Sequence, residues 1–374
     1  MAYSDQPFDS ELPLFPGHGA VLDYLERYAD DVRHLIRFHT QVINVSHDTD
    51  QWSVTARDIL SRQETLTYDA VVIANGHYTV PFVPDVPGVN IWNQANPGVI
   101  IHSKAYRRPE DFKGKKVIVI GNSASGTDIA SQIGQHCKYP LLLSPRTYNE
   151  LFAQPKSDLQ QDVPEIVEFL SPVDHERAVK FKDGRIESNI DTVIFATGYF
   201  YNFPFLDLPS PIVTDGFRTH GVYQHVFHIE YPTLAFPVLN LKVIPFPLAE
   251  NQAAVMARVW SGRLSLPPKE KMRDWERKRL EERGDGKAFH VLTHPEDAQV
   301  LNTLYDWAKS APRVSGLENG GQGKLGTYWD EKQVRMRSKF PDIKRAFAKR
   351  DKDRFNVKTL EELGFEYEKR DERC

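Results

Sequence analysis

Small residues at a fixed spacing follow an apolar run near the middle of the chain. The run is Val117–Ile120, and the candidate phosphate-binding residues after it are Gly121, Asn122, Ser123, Ala124, Ser125 and Gly126. A strand, a tight turn and a helix in this order can bind a pyrophosphate, because backbone N–H groups and the positive end of the helix dipole face the turn. The pattern is G-x-S-x-x-G, with serine at the usual middle glycine, and a turn that serves only packing would have a similar sequence. We predict a dinucleotide site here and keep the packing turn as the alternative.

The next predicted strand indicates which dinucleotide binds. This strand, Leu141–Ser144, is followed by Pro145, Arg146 and Thr147, with no carboxylate at its end. In NAD sites an Asp or Glu about 20 residues after the turn hydrogen-bonds the ribose 2′-OH. A guanidinium at this point can instead donate to a 2′-phosphate. The sequence therefore favours NADP(H), with Arg146 and Thr147 as binding candidates, unless Arg146 is a solvated loop residue.

The composition is that of an ordinary globular protein. Its 374 residues are 40% hydrophobic and 26% charged, which leaves room for two domains. A net charge of −4 gives no reason to expect nucleic acid as a partner. Two cysteines cannot form a disulfide framework, and no apolar run approaches the roughly 20 residues of a membrane span. We expect a cytoplasmic protein without a metal site, and the sequence leaves the oligomeric state open.

The remaining patterns predict the elements that position the turn. An apolar face at helical spacing, formed by Val21, Leu22, Leu25 and Tyr28, predicts a helix over residues 18–29. Short alternating runs between residues 35 and 68 predict an antiparallel meander. An apolar run at residues 70–74 predicts a buried strand, and Asp183-Gly184 predicts a hairpin. A helix is expected from Glu250, and residues 267–374 are charged and helix-prone.

Two predicted strands have similar ends. One ends in Asn75-Gly76, and the other, over residues 192–196, ends in Thr197-Gly198. Such ends lie at the edge of a doubly wound sheet where dinucleotides bind. We interpret them as the points at which the chain crosses between two dinucleotide domains, and Asn75, Gly76, Thr197 and Gly198 as cofactor-binding candidates.

Taken together, the order of these segments resembles that of the flavin-containing monooxygenases. The similar segments are 74–81, the family's first linker; 98–106, its identifying motif, with Asn96 in place of the leading Phe; 121–128 and 144–147, its NADPH site; 195–206, its second linker; and 245–253, the segment that closes on the flavin. By this resemblance Gln252 is a candidate flavin neighbour, with a packed position at the start of a helix as the alternative. The resemblance identifies no catalytic side chain, since the reactive chemistry belongs to the cofactor.

The resemblance implies an α/β flavoprotein with two dinucleotide-binding domains. Its expected parts are a partial FAD-binding domain at 1–86, a Rossmann-like NADP domain at 87–200, a return to the FAD domain at 201–266 and a helical C-terminal appendage at 267–374. In the family, a strand and a G-x-G-x-x-G turn for FAD precede a segment similar to residues 1–8. We therefore expect no second glycine fingerprint in this chain. Either the coding sequence was started at an internal methionine, or the protein is a natural remnant of the longer form.

The activity implied by the resemblance is that of an NADPH- and FAD-dependent monooxygenase. NADPH would reduce FAD, and a flavin hydroperoxide would give one oxygen atom of O2 to a soft nitrogen or sulfur centre, or to a related small metabolite. Baeyer–Villiger oxidation of a ketone would follow the same cofactor logic. The alternative is a flavin-free remnant that binds NADP(H) without turnover.

Overall fold

The computed structural model describes residues 1–138, 140–147 and 158–366. The chain forms two compact units. Unit 1 comprises residues 1–77, 201–340 and 352–374, and unit 2 comprises residues 78–200 and 341–351. The chain thus leaves unit 1 after His77, the residue that follows Gly76, and returns to it at Tyr201, shortly after Gly198. Among the described residues, none of the helices has the length and apolarity needed to cross a membrane.

The strands of the described residues are short. In chain order they are β1 (Thr40–Asp48), β2 (Gln51–Asp58), β3 (Gln63–Tyr68), β4 (Val71–Val72), β5 (Val80–Pro81), β6 (Ile100–His102), β7 (Val117–Ile120), β8 (Leu141–Ser144), β9 (Gln160–Asp162), β10 (Ile166–Phe169), β11 (Val179–Phe181), β12 (Ile186–Glu187), β13 (Thr192–Phe195), β14 (Tyr199–Phe200), β15 (Leu206–Asp207), β16 (Val222–Tyr223), β17 (Phe227–His228) and β18 (Leu234–Ala235).

The longer helices lie toward the C-terminus. In chain order the α-helices of the described residues are α1 (His18–Tyr28), α2 (Val89–Ala95), α3 (Ala124–Ile133), α4 (Pro245–Trp260), α5 (Lys269–Arg283), α6 (Glu296–Lys309), α7 (Glu318–Gly321), α8 (Glu331–Ser338) and α9 (Phe340–Ala348).

Unit 2 is built on a parallel sheet. Its strand order is β6-β13-β7-β8-β9, and every neighbouring pair is parallel. The strands β7, β8 and β13 are almost completely buried, which explains why they are continuous apolar runs. Helix α3 packs on β7 and β8 through Ile129 and Ile133. Each large apolar side chain that leaves water in this core contributes roughly 1.5–3 kcal/mol to folding.

Unit 1 contains two mixed sheets and most of the helices. The sheet orders are β15-β1-β2-β3 and β16-β17-β18-β4. Trp52 and Phe236 are fully buried in its core, and the Trp52 indole Nε1 donates to Thr233 Oγ1 at 2.9 Å. Helix α4 packs against α6, with Leu248, Val255 and Leu304 in the contact cluster.

The structure confirms most of the predicted elements. The helix over residues 18–29 is α1, the meander is β1-β2-β3, and the predicted hairpin joins β11 to β12 with Gly184 at φ +87°. The helix expected from Glu250 begins earlier, at Pro245, because proline fits the first turn of a helix. Within residues 267–366, the regular elements are mainly helices, as predicted for the C-terminal part of the chain.

Three local predictions are wrong. The buried strand expected at residues 70–74 is only β4, an edge strand that pairs with β18 alone, and Val72 is exposed. Residues 35–38 lie outside the meander and are exposed: Leu35 is the last residue of a 3-10 helix, and residues 36–38 follow it. The buried residue of α1 is Tyr24, whose hydroxyl donates to Gln6 O at 2.6 Å, while Leu22 on the expected apolar face is exposed.

Candidate nucleotide-binding site

The turn after β7 brings α3 into direct contact with two strand ends. Gly121 has φ +106°, and a Cβ on it would lie 2.6 Å from Ala196 O. A Cβ on Gly126 would lie 1.9 Å from Gly121 O. Because neither approach leaves room for a side chain, both positions require glycine. The two glycines therefore do serve packing. This close packing places the start of α3 at the carboxyl edge of the sheet, where a dinucleotide site is also expected.

The N-terminus of α3 is open. Ser123 is the N-cap residue with φ −86° and ψ −169°, an extended conformation that any residue can adopt, which explains why serine can replace the middle glycine. Within the part of the chain that the structure describes, no side chain caps this end. Ser123, Ala124 and Ser125 are exposed. The first N–H groups of the helix therefore remain for an external acceptor such as a phosphate.

The end of β8 lies beside this turn. Gly121 N donates to Ser144 O at 3.1 Å, and Asn122 Nδ2 donates to Thr147 O at 3.0 Å. Arg146 and Thr147 are both exposed. Two segments separated by about 20 residues in sequence are thus joined by hydrogen bonds, and the Arg146 side chain is available next to the turn.

The residues after β13 are bound to their neighbours in unit 2. The Thr197 hydroxyl donates to Phe82 O, and Gly198 O accepts from Phe82 N at 2.9 Å. His102 Nε2 lies 3.1 Å from the same Gly198 oxygen, while His102 Nδ1 accepts from Lys104 N. The second bond makes Nδ1 an acceptor, so Nε2 carries the proton and donates to Gly198 O. His102 thus fixes the chain at the unit boundary.

Tyr106 also serves to fix a loop of unit 2. Its hydroxyl donates to Gln132 Oε1 at 2.8 Å, and Gln132 Nε2 donates to Asp128 Oδ2 at 2.9 Å. Burial, followed by the charge of Asp128, raises the pKa of Tyr106 to about 12. The phenol therefore stays protonated and holds the segment after β6 against α3.

The structure places the other site candidates in unit 1. Asn75 is exposed and its Nδ2 lies 3.4 Å from Asn202 O, and Gly76 has φ +72° with open space around its α-carbon. Gln252 is fully buried in α4. Its Oε1 accepts from Val238 N at 2.7 Å and its Nε2 donates to Asn240 Oδ1 at 3.2 Å. Contact of Asn75, Gly76 or Gln252 with a cofactor stays a prediction.

The N-terminal segment, residues 1–8, is held by α4 and by the glycine-rich loop, residues 316–326. Ser4 Oγ donates to Glu250 Oε1 at 2.6 Å, and Lys324 Nζ donates to Asp5 Oδ2 at 2.6 Å. Tyr3 stacks on Tyr28 with ring centroids 3.9 Å apart. The Ser-Asp pair of the sequence motif at residues 1–8 is thus explained by its partners, and Glu250 binds this segment rather than capping its own helix.

Sequence reasoning missed a buried histidine cluster in unit 1. Thr219 N donates to His290 Nε2 at 3.0 Å, so the His290 proton is on Nδ1, which lies 3.0 Å from His225 Nδ1. Burial lowers the pKa of His225 to about 3 and that of His290 well below its usual range. Both rings are neutral. The sequence carries no signal for this pairing, because 65 residues separate the two histidines.

The expectation of a single glycine fingerprint needs a correction. Residues 321–326 read Gly-Gln-Gly-Lys-Leu-Gly and match the letters G-x-G-x-x-G. The segment begins at Gly321, the last residue of the four-residue helix α7, instead of after a strand, and no helix follows it until α8 begins at Glu331. It therefore lacks the strand–turn–helix context of a dinucleotide site.

Within the described residues, a parallel sheet, a glycine turn at a helix start without a side-chain cap and an arginine at the next strand end are the features of a dinucleotide-binding α/β fold. Comparison with known proteins narrows the class. The chain belongs to the flavin-binding monooxygenase-like family, whose sequence profile matches residues 1–154 and 164–308.

Individual relatives agree with the family assignment. The thiol-specific monooxygenase of Saccharomyces cerevisiae is 34% identical over 284 residues, 71% of this chain and 63% of that protein. The flavin-containing monooxygenase FMO GS-OX-like 7 of Arabidopsis thaliana is 36% identical over 291 residues, 73% of this chain and 60% of that protein. The chain thus spans about three fifths of the length of these relatives.

A solved structure confirms the predicted fold class. The S-allyl-L-cysteine S-oxygenase of Allium sativum superposes with a TM-score of 0.77 at 30% sequence identity, covering 97% of this chain and 80% of that one. The α/β flavoprotein architecture with a helical C-terminal part is therefore that of this family. The four domain boundaries stay a prediction.

Proposed function

We propose that this protein is an NADPH- and FAD-dependent monooxygenase that transfers one oxygen atom of O2 to a soft sulfur or nitrogen centre of a small molecule. The observation that carries the proposal is the hydrogen bond from Asn122 Nδ2 to Thr147 O, 3.0 Å long. It joins the open N-terminus of α3 to the strand end that carries Arg146. A phosphate site and a cation for the 2′-phosphate are therefore adjacent.

The residues of unit 2 fit NADP(H). The N–H groups at residues 123–125 are open and would bind the pyrophosphate. Arg146 would bind the 2′-phosphate through its planar pair of donors. Gly121 and Gly126 would act indirectly, since their close approach to the carbonyls of Ala196 and Gly121 holds the helix end in place.

The residues of unit 1 offer a polar contact to a flavin. Asn240 is buried, and within the described chain its Nδ2 meets no acceptor. Gln252 Nε2 donates to Asn240 Oδ1 and so fixes the orientation of the Asn240 amide, whose Nδ2 lies on the side opposite this bond. We therefore propose that Asn240 Nδ2 donates a hydrogen bond to the flavin and that Gln252 positions Asn240. Asn75 and Gly76, near the end of the first segment of unit 1, remain cofactor-binding candidates. Flavin, when bound, supplies the electron transfer and the oxygen activation that no side chain provides.

Two named relatives favour sulfur as the atom that is oxygenated. One is called a thiol-specific monooxygenase and the other an S-allyl-L-cysteine S-oxygenase. Their sequence identities to this chain, 34% and 30%, agree with membership of the same family, but the residues of the substrate pocket can still differ at this identity. We propose a small organosulfur compound first and a tertiary amine second.

The substitution Arg146→Ala tests the cofactor assignment. Loss of a charge-assisted contact with the 2′-phosphate should weaken NADPH binding by about 1.5–3 kcal/mol, roughly 10- to 150-fold, and leave NADH binding unchanged. Arg108→Ala is the matched control, because Arg108 is an exposed arginine of the same unit that pairs with Asp111. Fluorescence titration with both nucleotides measures the difference. Equal losses for NADPH and NADH would refute the 2′-phosphate role.

Oxygen uptake tests the monooxygenase assignment. We expect the purified protein to bind FAD, with the absorbance of a flavoprotein, and to consume O2 and NADPH faster when an organic sulfide is added. A colourless protein that binds NADPH and takes up no added FAD would support the alternative, a module that binds NADP(H) without turnover.

A further inference from the structure

Unit 1 contains a cavity of about 790 Å³ beside helix α4. One wall is the face of α4 that carries Ala249, Ala253 and Ala257, one helical turn apart from one another. Leu317 and Leu325 add further apolar surface. The lining is mainly apolar, which suits the hydrocarbon part of a small ligand.

Two arginines line the same cavity without a carboxylate partner among the described residues. Arg258 is 3% exposed, and its Nη1 and Nη2 donate to Ala254 O and Gln322 O. Its Nε is buried and meets no acceptor in the described chain. Arg263 donates to Pro312 O and shares the Gln322 oxygen at 3.1 Å. Burial, and then the charge of Arg263, lowers the pKa of Arg258.

The glycine-rich loop brings the two guanidinium groups together. Gly323 has φ +78°, and a Cβ on it would lie 3.6 Å both from Arg258 Nη2 and from Arg263 Nη1. Gly326 lies against α4, where a Cβ would be 2.2 Å from Asn251 Oδ1. The loop that matches a glycine fingerprint in its letters thus shapes a paired cationic surface.

Among the described residues, the charged side chains that line the cavity, together with Asp5 beside it, leave one positive charge uncompensated. Lys324 also lines the cavity, and it pairs with Asp5 at 2.6 Å and with Glu250 at 3.7 Å. These three groups carry a net charge of −1, and Arg258 and Arg263 carry +2. A buried charge without a partner is costly, and a ligand with one negative charge would compensate it.

We propose that this cavity binds an amphipathic monocarboxylate, with its carboxylate on Arg258 and Arg263 and its apolar part along the alanine face of α4. The residues that line this cavity all belong to unit 1 and include none of the nucleotide turn, and the proposed ligand requires neither NADPH nor flavin.

Calorimetric titration with decanoate tests the proposal on the full chain. We expect saturable binding of decanoate that is at least tenfold tighter than that of decan-1-ol, which has the same chain without the charge. Arg263→Gln should weaken decanoate binding about tenfold or more, as expected for the loss of a charge-assisted hydrogen bond. Arg277→Gln, on the exposed surface of α5, and Arg146→Ala should leave it unchanged.

Several outcomes would overturn the proposal. They are no saturable decanoate binding, equal affinity for decanoate and decan-1-ol, and an unaltered affinity in Arg263→Gln. Loss of decanoate binding in Arg146→Ala would place the ligand at the nucleotide turn and would also overturn it. Arg258→Gln gives a second readout of the guanidinium pair. If that variant does not fold, Arg263→Gln decides alone.

Discussion

Acidification should destabilise this protein, because its folded state holds several buried histidine rings in the neutral form. His228 is 6% exposed, and its Nδ1 accepts from Tyr231 N at 3.0 Å. Burial lowers the pKa of His228 to about 4, against the smaller effects of Glu230, which raises it, and Lys269, which lowers it. Burial lowers the pKa of His225 to about 3. The unfolded chain binds protons on these rings near pH 6.5, whereas the folded chain does not.

The sign and size of the effect follow from this difference in proton binding. Well above pH 6.5 these rings are neutral in both the folded and the unfolded state, so they do not change the free energy of unfolding. As the pH falls from 6.5 toward 4, the unfolded state takes up protons first, so the free energy of unfolding decreases. Between pH 7 and pH 5, His225 and His228 each remove about 2 kcal/mol. The lowered pKa of His290 acts in the same direction. The sum is a large part of the roughly 5–15 kcal/mol that stabilises a typical domain.

The substitution His228→Asn isolates one of these contributions. An asparagine Oδ1 can accept the Tyr231 N–H bond in place of Nδ1 but cannot titrate. We expect the loss of unfolding free energy between pH 7 and pH 5 to be about 2 kcal/mol smaller in His228→Asn than in the parent protein. Urea denaturation at pH 7, 6 and 5 measures it, with exposed His34→Asn as the control. An equal loss in the variant and the parent would refute the reasoning.

The remaining predictions concern single contacts. Gly126→Ala places a Cβ 1.9 Å from Gly121 O, so overpacking should lower the free energy of unfolding by about 1–3 kcal/mol or more and weaken NADPH binding. Urea denaturation and nucleotide titration measure the two effects. A variant with unchanged stability and affinity would contradict the packing role. Gln252→Ala leaves Val238 N–H without its acceptor and should cost about 1–3 kcal/mol in urea denaturation, whereas a cost near zero would mean that this amide finds another acceptor. Tyr106→Phe should cost about 1 kcal/mol and leave the NADPH dissociation constant unchanged; altered nucleotide binding would point instead to a direct role.

The fold of unit 2 could be predicted from sequence because its signals are local. The strands β7, β8 and β13 are apolar runs bounded by turns, as expected for parallel strands buried on both faces. The prediction of a buried strand at residues 70–74 was wrong because it relied on the same kind of local signal. An apolar run does not show how many neighbours a strand has, and β4 has only β18.

The nucleotide site could be predicted in part, and the cavity of unit 1 could not. The turn and Arg146 follow successive strands, so the order of elements brings them to one edge of the sheet. Arg258 meets Gln322 across 64 residues, in a segment without sheet structure. Only the tertiary packing of α4 on the glycine-rich loop creates this contact, and neither residue type nor spacing indicates it.

The two glycine patterns of this chain have different physical causes, and the difference tells which positions need glycine. In the nucleotide turn, Gly121 and Gly126 contact strand and turn carbonyls that exclude a side chain. Ser123 stands at the middle position with a negative φ and makes no capping hydrogen bond within the described chain. In the second pattern, Gly323 has a positive φ and faces two guanidinium groups, with no strand before it.

Restoring the usual middle glycine should therefore change the stability and the NADPH affinity little. Ser123→Gly should lower the free energy of unfolding by only a few tenths of a kcal/mol, because Ser123 makes no capping bond that glycine would lose. NADPH affinity should stay within about twofold, since backbone N–H groups, present in both variants, make the contact. Urea denaturation and nucleotide titration beside Gly126→Ala provide the comparison. A cost above about 1 kcal/mol for Ser123→Gly would show that the serine side chain supports the turn after all.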